Sequence, residues 1–258
     1  MSGSDLNKIK TNAINKFKKV INEKLLAIIL TGSASQNTYK PGWSDLDLLI
    51  IVDDLNFDTK CKIAKAVTEL EKNSNIHHGV NVITKNDFLN PLLPEIFLDG
   101  KTLQTLINLK KYPNRLIYSK KLINLQDVYS PNSEILKKYS LNNISMFLRR
   151  NRRTLTSTQC TTKNLKELLK KEIRASLIIT KLAVQHFTGT PQESYQKTLD
   201  QAKLLFLDFN FSIIENNFRI IEQWQKLNNK TKLLKIFKDV DNYIEKFTYY
   251  VFKKSQKQ

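Results

Sequence analysis

Two short groups of residues near the start of the chain have the composition of a site for phosphate and a metal ion. Gly32 and Ser33 follow a first apolar run, and Asp45 and Asp47 open a second one. In a strand, residues two apart point to the same face, so the two carboxylates are predicted to lie side by side. A divalent cation such as Mg²⁺ relieves their repulsion and takes its remaining ligands from water and phosphate. Gly32 allows close approach of the backbone, and the Ser33 hydroxyl can donate to phosphate oxygens.

The elements that must position these residues follow from hydrophobic periodicity and turn residues. Apolar positions recur at helical spacing before the first run and again after the second, and short apolar runs between them predict strands. The order predicts a small mixed sheet covered by helices, of the α/β (α+β) class. The predicted elements are a helix over Asp5–Glu23, strands over Leu25–Leu30 and Leu46–Val52, a helix over Thr59–Asn73 and a strand over Gly79–Thr84.

The second half of the chain has helical periodicity throughout. Residues 87–121 combine proline, glycine and helical stretches, and they are expected to close the first domain. From about Ser133 the pattern predicts an all-α helical bundle, with Tyr129–Asn132 as the linker because Pro131 ends what precedes it. The predicted domains are residues 1–128 and 133–258, and the predicted helices are Leu165–Phe187, Gln192–Phe209, Ser212–Leu227 and Leu233–Phe252.

The motif resembles that of the polymerase-beta-like nucleotidyltransferase superfamily. That pattern is an apolar residue, Gly, then Gly or Ser, about ten residues, and Asp, an apolar residue, Asp or Glu; Gly32, Ser33, Asp45 and Asp47 match it. The wider string from Gly32 to Leu49 is most similar to aminoglycoside-modifying and related minimal nucleotidyltransferases. In those proteins a helical domain also follows the catalytic domain.

The resemblance implies in-line attack of an acceptor hydroxyl on the α-phosphorus of a nucleoside triphosphate, with release of pyrophosphate. The nucleotide is expected to be ATP, and the metal Mg²⁺ or Mn²⁺. Lys197 lies where a Gly-Thr-Pro turn leads into a helix of the second domain, and in similar enzymes such a helix faces the nucleotide. The expected site residues are Asp45 and Asp47 as catalytic and metal-binding residues, and Gly32, Ser33, Ser44 and Lys197 as nucleotide-binding residues.

One part of the superfamily pattern is not met. Active members place a third carboxylate on the next core strand, but the positions that could align here are Gly79 and Asn81. An amide cannot take a proton at neutral pH. A substitute acid could come from Glu69 or Glu71 on the preceding helix or from Asp87 after the strand. The alternative function is therefore a catalytically degenerate nucleotidyltransferase that binds nucleotide, RNA or a protein.

The net charge of +18 and the pI near 9.7 bear on the partners of the protein. Such a charge attracts polyanions, although a codon bias toward Lys, Asn and Ile would also produce part of it. The acceptor is therefore left open between a small molecule and RNA. The sequence has no run of eighteen uncharged apolar residues and no signal-peptide pattern, which predicts a cytoplasmic protein without a membrane partner. The oligomeric state stays open.

Two weaker groups of residues have both a functional and a purely structural interpretation. Four arginines occur within residues 149–153 and could bind a triphosphate or an RNA backbone, or form a solvated face. His77 and His78 precede the third strand and could face the cleft, although such a pair is more often structural.

Overall fold

The structure is a computed structural model, and it describes residues 3–36, 38–91, 100–120, 124–157, 162–192 and 194–257. The chain divides into two units, Met1–Pro131 and Asn132–Gln258. The first unit contains a mixed sheet with helices, and the described part of the second unit is helical. The predicted fold class is therefore confirmed. Among the described residues, no helix is long and apolar enough to cross a membrane.

The first unit is built on four strands, which pair in the order β3-β2-β1-β4. Strand β2 pairs with β1 antiparallel and with β3 parallel, while β4 pairs antiparallel with the other edge of β1. The elements are α1 (Gly3–Ile21), β1 (Leu25–Thr31), β2 (Leu46–Val52), α2 (Phe57–Ser74), β3 (His78–Thr84), α3 (Lys85–Leu89), α4 (Gly100–Leu109) and β4 (Leu116–Ser119).

Burial of the two central strands explains their apolar composition. Every residue of β1 and β2 is buried, because both faces of the sheet are covered. Leu46, Leu48 and Ile50 lie in one core cluster with Phe17 of α1 and Ile63 of α2. Burying each such side chain contributes about 2 kcal/mol relative to leaving it in water. The next residues along β2 alternate to the other face, where Asp47 interrupts the apolar run.

The sequence predicts the central strands well and the end of the unit poorly. The prediction for β2 is confirmed residue for residue, and β1 and β3 each extend one residue beyond the predicted limits. Helix α3 and strand β4 were not predicted within residues 87–121. Strand β4 has only four residues at the sheet edge, and its pairing with β1 depends on contacts that no local pattern encodes.

The second unit consists of five helices in the residues described. In its core, Phe187 and Phe247 pack edge to face against Phe206, and Phe211 packs edge to face against Phe247. The helices are α5 (Ser133–Ser157), α6 (Thr162–Thr188), α7 (Tyr195–Leu205), α8 (Ser212–Glu222) and α9 (Lys230–Ser255).

Two of the predicted helices in this unit were too long. Ser194 caps α7, because its hydroxyl accepts a hydrogen bond from the Lys197 backbone N–H over 3.3 Å, so the helix begins three residues after Gln192. Helix α8 ends at Glu222, and a short 3-10 turn over Trp224–Lys226 replaces its predicted last turn. Apolar periodicity continues through both ends, and for that reason it overestimates the helices.

One carboxylate of the helical unit is buried. Glu172 of α6 is only 2% exposed, and among the described residues its Oε2 has no hydrogen-bond partner. Burial and the nearby Asp241 carboxylate raise the pKa of Glu172 to about 7, against a smaller opposing effect of the hydrogen bond with Asn151. Because the folded protein holds this proton more tightly than the unfolded chain does, stability falls as the pH rises through the interval from about 4.5 to 7.

The Glu172→Gln variant is expected to gain stability relative to the natural protein as the pH rises from 5 to 8. The amide keeps the shape of the side chain but removes the ionisation, whose cost reaches about 3 kcal/mol above pH 7. Urea unfolding at both pH values measures the difference. The control is Glu167→Gln, which removes an exposed carboxylate from the same helix. Equal pH dependence of the two variants would contradict the assignment of this titration to Glu172.

Candidate active site

The backbone at Gly32 approaches the carboxylate of Asp47 too closely for any side chain. Gly32 follows β1 directly and has a φ of +63°, in the left-handed region that favours glycine. A Cβ added there would overlap Oδ2 of Asp47 and would lie 3.2 Å from the Asp47 Cβ. Both the conformation and the contact therefore require glycine at this position.

Antiparallel pairing of β1 with β2 produces this approach. Thr31, the last residue of β1, lies opposite Asp47 in the register of the two strands. The Gly-Ser turn begins at the next residue, so it must lie at the end of β2 that carries the carboxylate. Asp47 is 9% exposed, while Asp45 lies just before the strand and is half-buried. The structure thus brings Gly32 and Ser33 to the same end of the sheet as Asp45 and Asp47.

Hydrogen bonds hold the loop between the two strands. The Thr38 backbone N–H donates to the Ser33 carbonyl over 3.0 Å, and the Ser35 hydroxyl donates to the Gly32 carbonyl over 2.8 Å. At the other end of the loop, the Ser44 hydroxyl oxygen accepts from the Lys40 backbone N–H over 2.9 Å. Ser44 therefore shapes the loop immediately before Asp45, in addition to any contact it makes with a ligand.

Tyr39 is a residue of this site that the sequence reasoning missed. Burial raises the pKa of the Tyr39 phenol, and the nearby Asp45 carboxylate raises it further. The phenol therefore keeps its proton and remains a hydrogen-bond donor near Asp45. The signal in the sequence was an aromatic residue at the end of a polar stretch, directly ahead of Lys40, Pro41 and Gly42.

The position of the missing third carboxylate is defined by the register of β2 with β3. Gly79 lies beside Asp47, and Asn81 lies beside Leu49. Residues in register on neighbouring strands point to the same face, so Gly79 is the position from which a side chain would reach Asp47. The prediction that this strand supplies no acid near the pair is consistent with the structure.

The three acids that could have substituted for the third carboxylate make other contacts. Glu69 pairs with Lys16 of α1. The Glu71 carboxylate accepts from the His78 backbone N–H over 2.8 Å and contacts the His77 ring over 2.6 Å. These contacts place both glutamates on the side of the sheet that α1 and α2 cover.

Asp87 belongs to a helix cap at the far end of β3. Its carboxylate accepts hydrogen bonds from the Thr84 backbone N–H and hydroxyl, over 3.0 and 2.7 Å. Thr84 lies opposite Val52, five residues along β2 from Asp47. At about 3.3 Å per residue, that separation is roughly 16 Å along the strand. Asp87 is therefore too far from Asp47 to act with it.

The donors at this site suit one kind of metal ion. In the described residues, no group of three or more His, Cys, Asp or Glu side chains could hold a metal. A site closed by protein ligands alone, as for structural zinc, is therefore not formed there. Mg²⁺ commonly binds through one or two carboxylates and completes its shell with water and substrate phosphate. The carboxylates of Asp45 and Asp47 fit that requirement.

The structure describes the surroundings of the weaker candidates. His78 lies in register with Leu46, on the face covered by α1 and α2, and therefore has the structural position rather than one facing the Asp47 carboxylate. Arg152 is held in two hydrogen bonds by Glu245, over 2.7 and 2.5 Å, and is not an open phosphate ligand. Lys197 lies in the first turn of α7 in the second unit.

Comparisons with known proteins agree with this geometry. Residues 14–103 match the family model of the nucleotidyltransferase domain, a range that includes β1, β2, β3 and the loop between the first two. Among solved structures, the spectinomycin adenyltransferase AAD(9) from Enterococcus faecialis, crystallised with ATP and spectinomycin, matches with a TM-score of 0.56 at 14% identity. The match covers 91% of this chain and 99% of that chain. No curated protein matches the chain in sequence.

The sheet, the Gly-Ser turn and the paired aspartates define a nucleotidyltransferase domain. The match of residues 14–103 to the nucleotidyltransferase domain, together with the fold, supports an enzyme of the nucleotidyltransferase class within the polymerase-beta-like superfamily.

Substitution of Gly32 by alanine is expected to reduce nucleotidyl transfer about a hundredfold, because a Cβ at this position must displace the Asp47 carboxylate. The change is also expected to lower the free energy of unfolding by roughly 1 kcal/mol, owing to the positive φ. Gly42→Ala is the matched control, since Gly42 has a φ of +75° but is exposed. Turnover and urea unfolding are measured for both variants. Equal turnover would show that the contact with Asp47 has no catalytic importance.

Proposed function

We propose that this enzyme transfers a nucleoside monophosphate, AMP in the first instance, from its triphosphate to a hydroxyl group of an acceptor, with release of pyrophosphate. The observation that carries the proposal is the contact of the Gly32 backbone with the Asp47 carboxylate, two residues after Asp45. This arrangement supports a site in which phosphate and metal ion meet at one end of the sheet. ATP is the nucleotide in the related adenyltransferase structure.

Each residue of the site has a role in the proposed reaction. Asp45 and Asp47 hold Mg²⁺ or Mn²⁺, which supplies charge neutralisation and orientation of the phosphates when bound. The Ser33 hydroxyl and the backbone of the turn donate hydrogen bonds to phosphate oxygens. Ser44 positions the loop ahead of Asp45 through its bond to Lys40. Lys197, in the first turn of α7, is proposed as a further phosphate ligand from its place in the sequence pattern alone.

The proposed step forms one bond, breaks one bond and releases one proton. The acceptor oxygen forms a bond to the α-phosphorus, and the bond from that phosphorus to the pyrophosphate oxygen breaks. The hydroxyl proton leaves to water, since Gly79 occupies the position from which a general base would reach the site. The reaction is therefore expected to be slow relative to enzymes that carry an acid there.

A small hydroxylated molecule is the acceptor that the structural comparison supports. AAD(9) was crystallised with spectinomycin, and the match extends over both units of this chain. RNA is the second candidate acceptor, and the observation that favours it is the net charge of +18. Salt dependence separates the two, because transfer to RNA should weaken steeply as salt rises.

A degenerate protein that binds nucleotide without turnover is the alternative function. The glycine at the third position and the engagement of Glu69, Glu71 and Asp87 in other contacts favour it. Binding of nucleotide does not need a general base, whereas efficient transfer does. The two functions therefore differ in pyrophosphate release and not in nucleotide affinity.

Pyrophosphate release from each of the four ribonucleoside triphosphates is the direct test. It is measured with Mg²⁺ or Mn²⁺, with spectinomycin, an aminoglycoside panel or bulk tRNA as acceptor. Release that depends on an acceptor is expected, and the Asp45→Ala/Asp47→Ala variant is expected to lose it. Nucleotide binding without release under any condition would favour the degenerate protein.

The matched control for that variant is Asp53→Ala/Asp54→Ala. It removes two exposed carboxylates just beyond the other end of β2, and with them only the exposed ion pair between Asp54 and Lys24. Such a pair contributes little to stability. If this control retains pyrophosphate release, the loss of activity in the Asp45→Ala/Asp47→Ala variant is a local effect and does not follow from a change in net charge.

Introduction of a carboxylate at residue 79 is expected to accelerate transfer. The Gly79→Glu side chain would lie in register with Asp47 and could accept the hydroxyl proton, a contribution of about a hundredfold for a positioned base. Gly79→Gln is the control, since it has the same size but no basic carboxylate. If the two variants have the same turnover, proton removal at this position does not limit the reaction.

A further inference from the structure

A second groove lies in the first unit, on the other face of the sheet from the Asp47 side chain. It has a volume of about 590 Å³ and is bounded by α1, the end of α2 and the start of β3. Lys8, Asn12, Asn15 and Lys19 line it from α1 at spacings of three and four residues, which place them on one face of the helix. The volume is within the range of sites for small molecules.

The charges around this groove favour an anion. Lys8 and Lys19 are exposed, and among the described residues neither forms an ion pair. Lys16 also lines the groove and pairs with Glu69. The lining residues include no acid, and asparagine amides between the lysines add neutral donors. A phosphate group in this position would receive charge-assisted hydrogen bonds.

His78 forms part of the groove wall and has an unused acceptor. Its side chain is 2% exposed, and Nδ1 lies 2.8 Å from the Ile76 carbonyl. A carbonyl only accepts, so Nδ1 carries the proton and Nε2 is the acceptor. Nε2 is buried and has no hydrogen-bond partner. Burial lowers the pKa of His78 despite the charge of Glu71, and this keeps the ring neutral.

A buried acceptor without a partner is unfavourable, so such groups are expected to have a partner in the functional state. A hydroxyl or amino group is the complementary donor. One ligand that meets both requirements carries phosphate at one end and a hydroxyl or amino group at the other, as a mononucleotide does. Its phosphate would lie near Lys8 and Lys19, and its donor group at His78.

We propose that the groove between α1 and α2 is a binding site for a nucleoside phosphate, separate from the site at Asp45 and Asp47. The ligand is either a free mononucleotide or one nucleotide of an RNA strand, since both present the same phosphate and hydroxyl groups. The residues that bind it are Lys8 and Lys19 through charge, Asn12 and Asn15 as neutral donors, and His78 as acceptor.

Binding is measured by titration calorimetry with the full chain in EDTA, using AMP and single-stranded octauridylate as probes. All variants carry Asp45→Ala/Asp47→Ala, so the outcome does not depend on transfer at the other site. Adding Lys8→Ala/Lys19→Ala is expected to weaken binding about tenfold or more. The control is Lys10→Ala/Lys62→Ala, which removes the same charge from lysines outside the groove.

The two probes distinguish the source of the ligand. If the groove substitutions reduce affinity for octauridylate alone, the occupant is an RNA strand. If they reduce affinity for AMP, the occupant is a free mononucleotide. The His78→Phe substitution should weaken binding of the same probe, and this is judged on a variant whose thermal unfolding matches that of the parent. If the groove lysines and the control lysines have equal effects on both probes, the proposal is overturned.

Discussion

The contact between the Gly32 backbone and the Asp47 carboxylate is the constraint on which the catalytic site depends. It requires a glycine at one position, antiparallel pairing of β1 with β2, and the register that sets Thr31 opposite Asp47. If that register shifted by one residue, the Asp47 side chain would point into the apolar core. A leucine side chain would then take its place beside the Gly-Ser turn. The buried runs of both strands prevent such a shift, so the core of the first unit determines the geometry of its chemistry.

The sequence predicts this part of the molecule because its signals are local. Continuous apolar runs identify the two central strands, and the glycine and aspartates at their ends mark one end of the sheet. Strand β4 and the contacts of Glu69, Glu71 and Asp87 could not be predicted in the same way. They depend on residues far apart in the chain, and the polarity of a glutamate does not indicate which lysine or backbone N–H it contacts.

Because side chains alternate along a strand, the two faces of the sheet carry different functional groups. Leu46 and Asp47 are neighbours in sequence, yet they and their β3 partners His78 and Gly79 lie on separate faces. The histidine therefore points away from Asp47, even though it begins the strand next to β2. Its polar ring lies under α1 and α2, where the chain provides lysines and amides but no partner for Nε2.

The hairpin of β1 and β2 also has a consequence for folding. Residues 25–52 contain the turn, both aspartates and the loop that joins them, so closing this one hairpin assembles them. The entropy lost on closing a loop grows only slowly with its length, and contacts between nearby residues form early. During translation, these groups leave the ribosome before any residue of the helical unit. Asp45 and Asp47 can thus reach their places beside the Gly-Ser turn on a nascent chain.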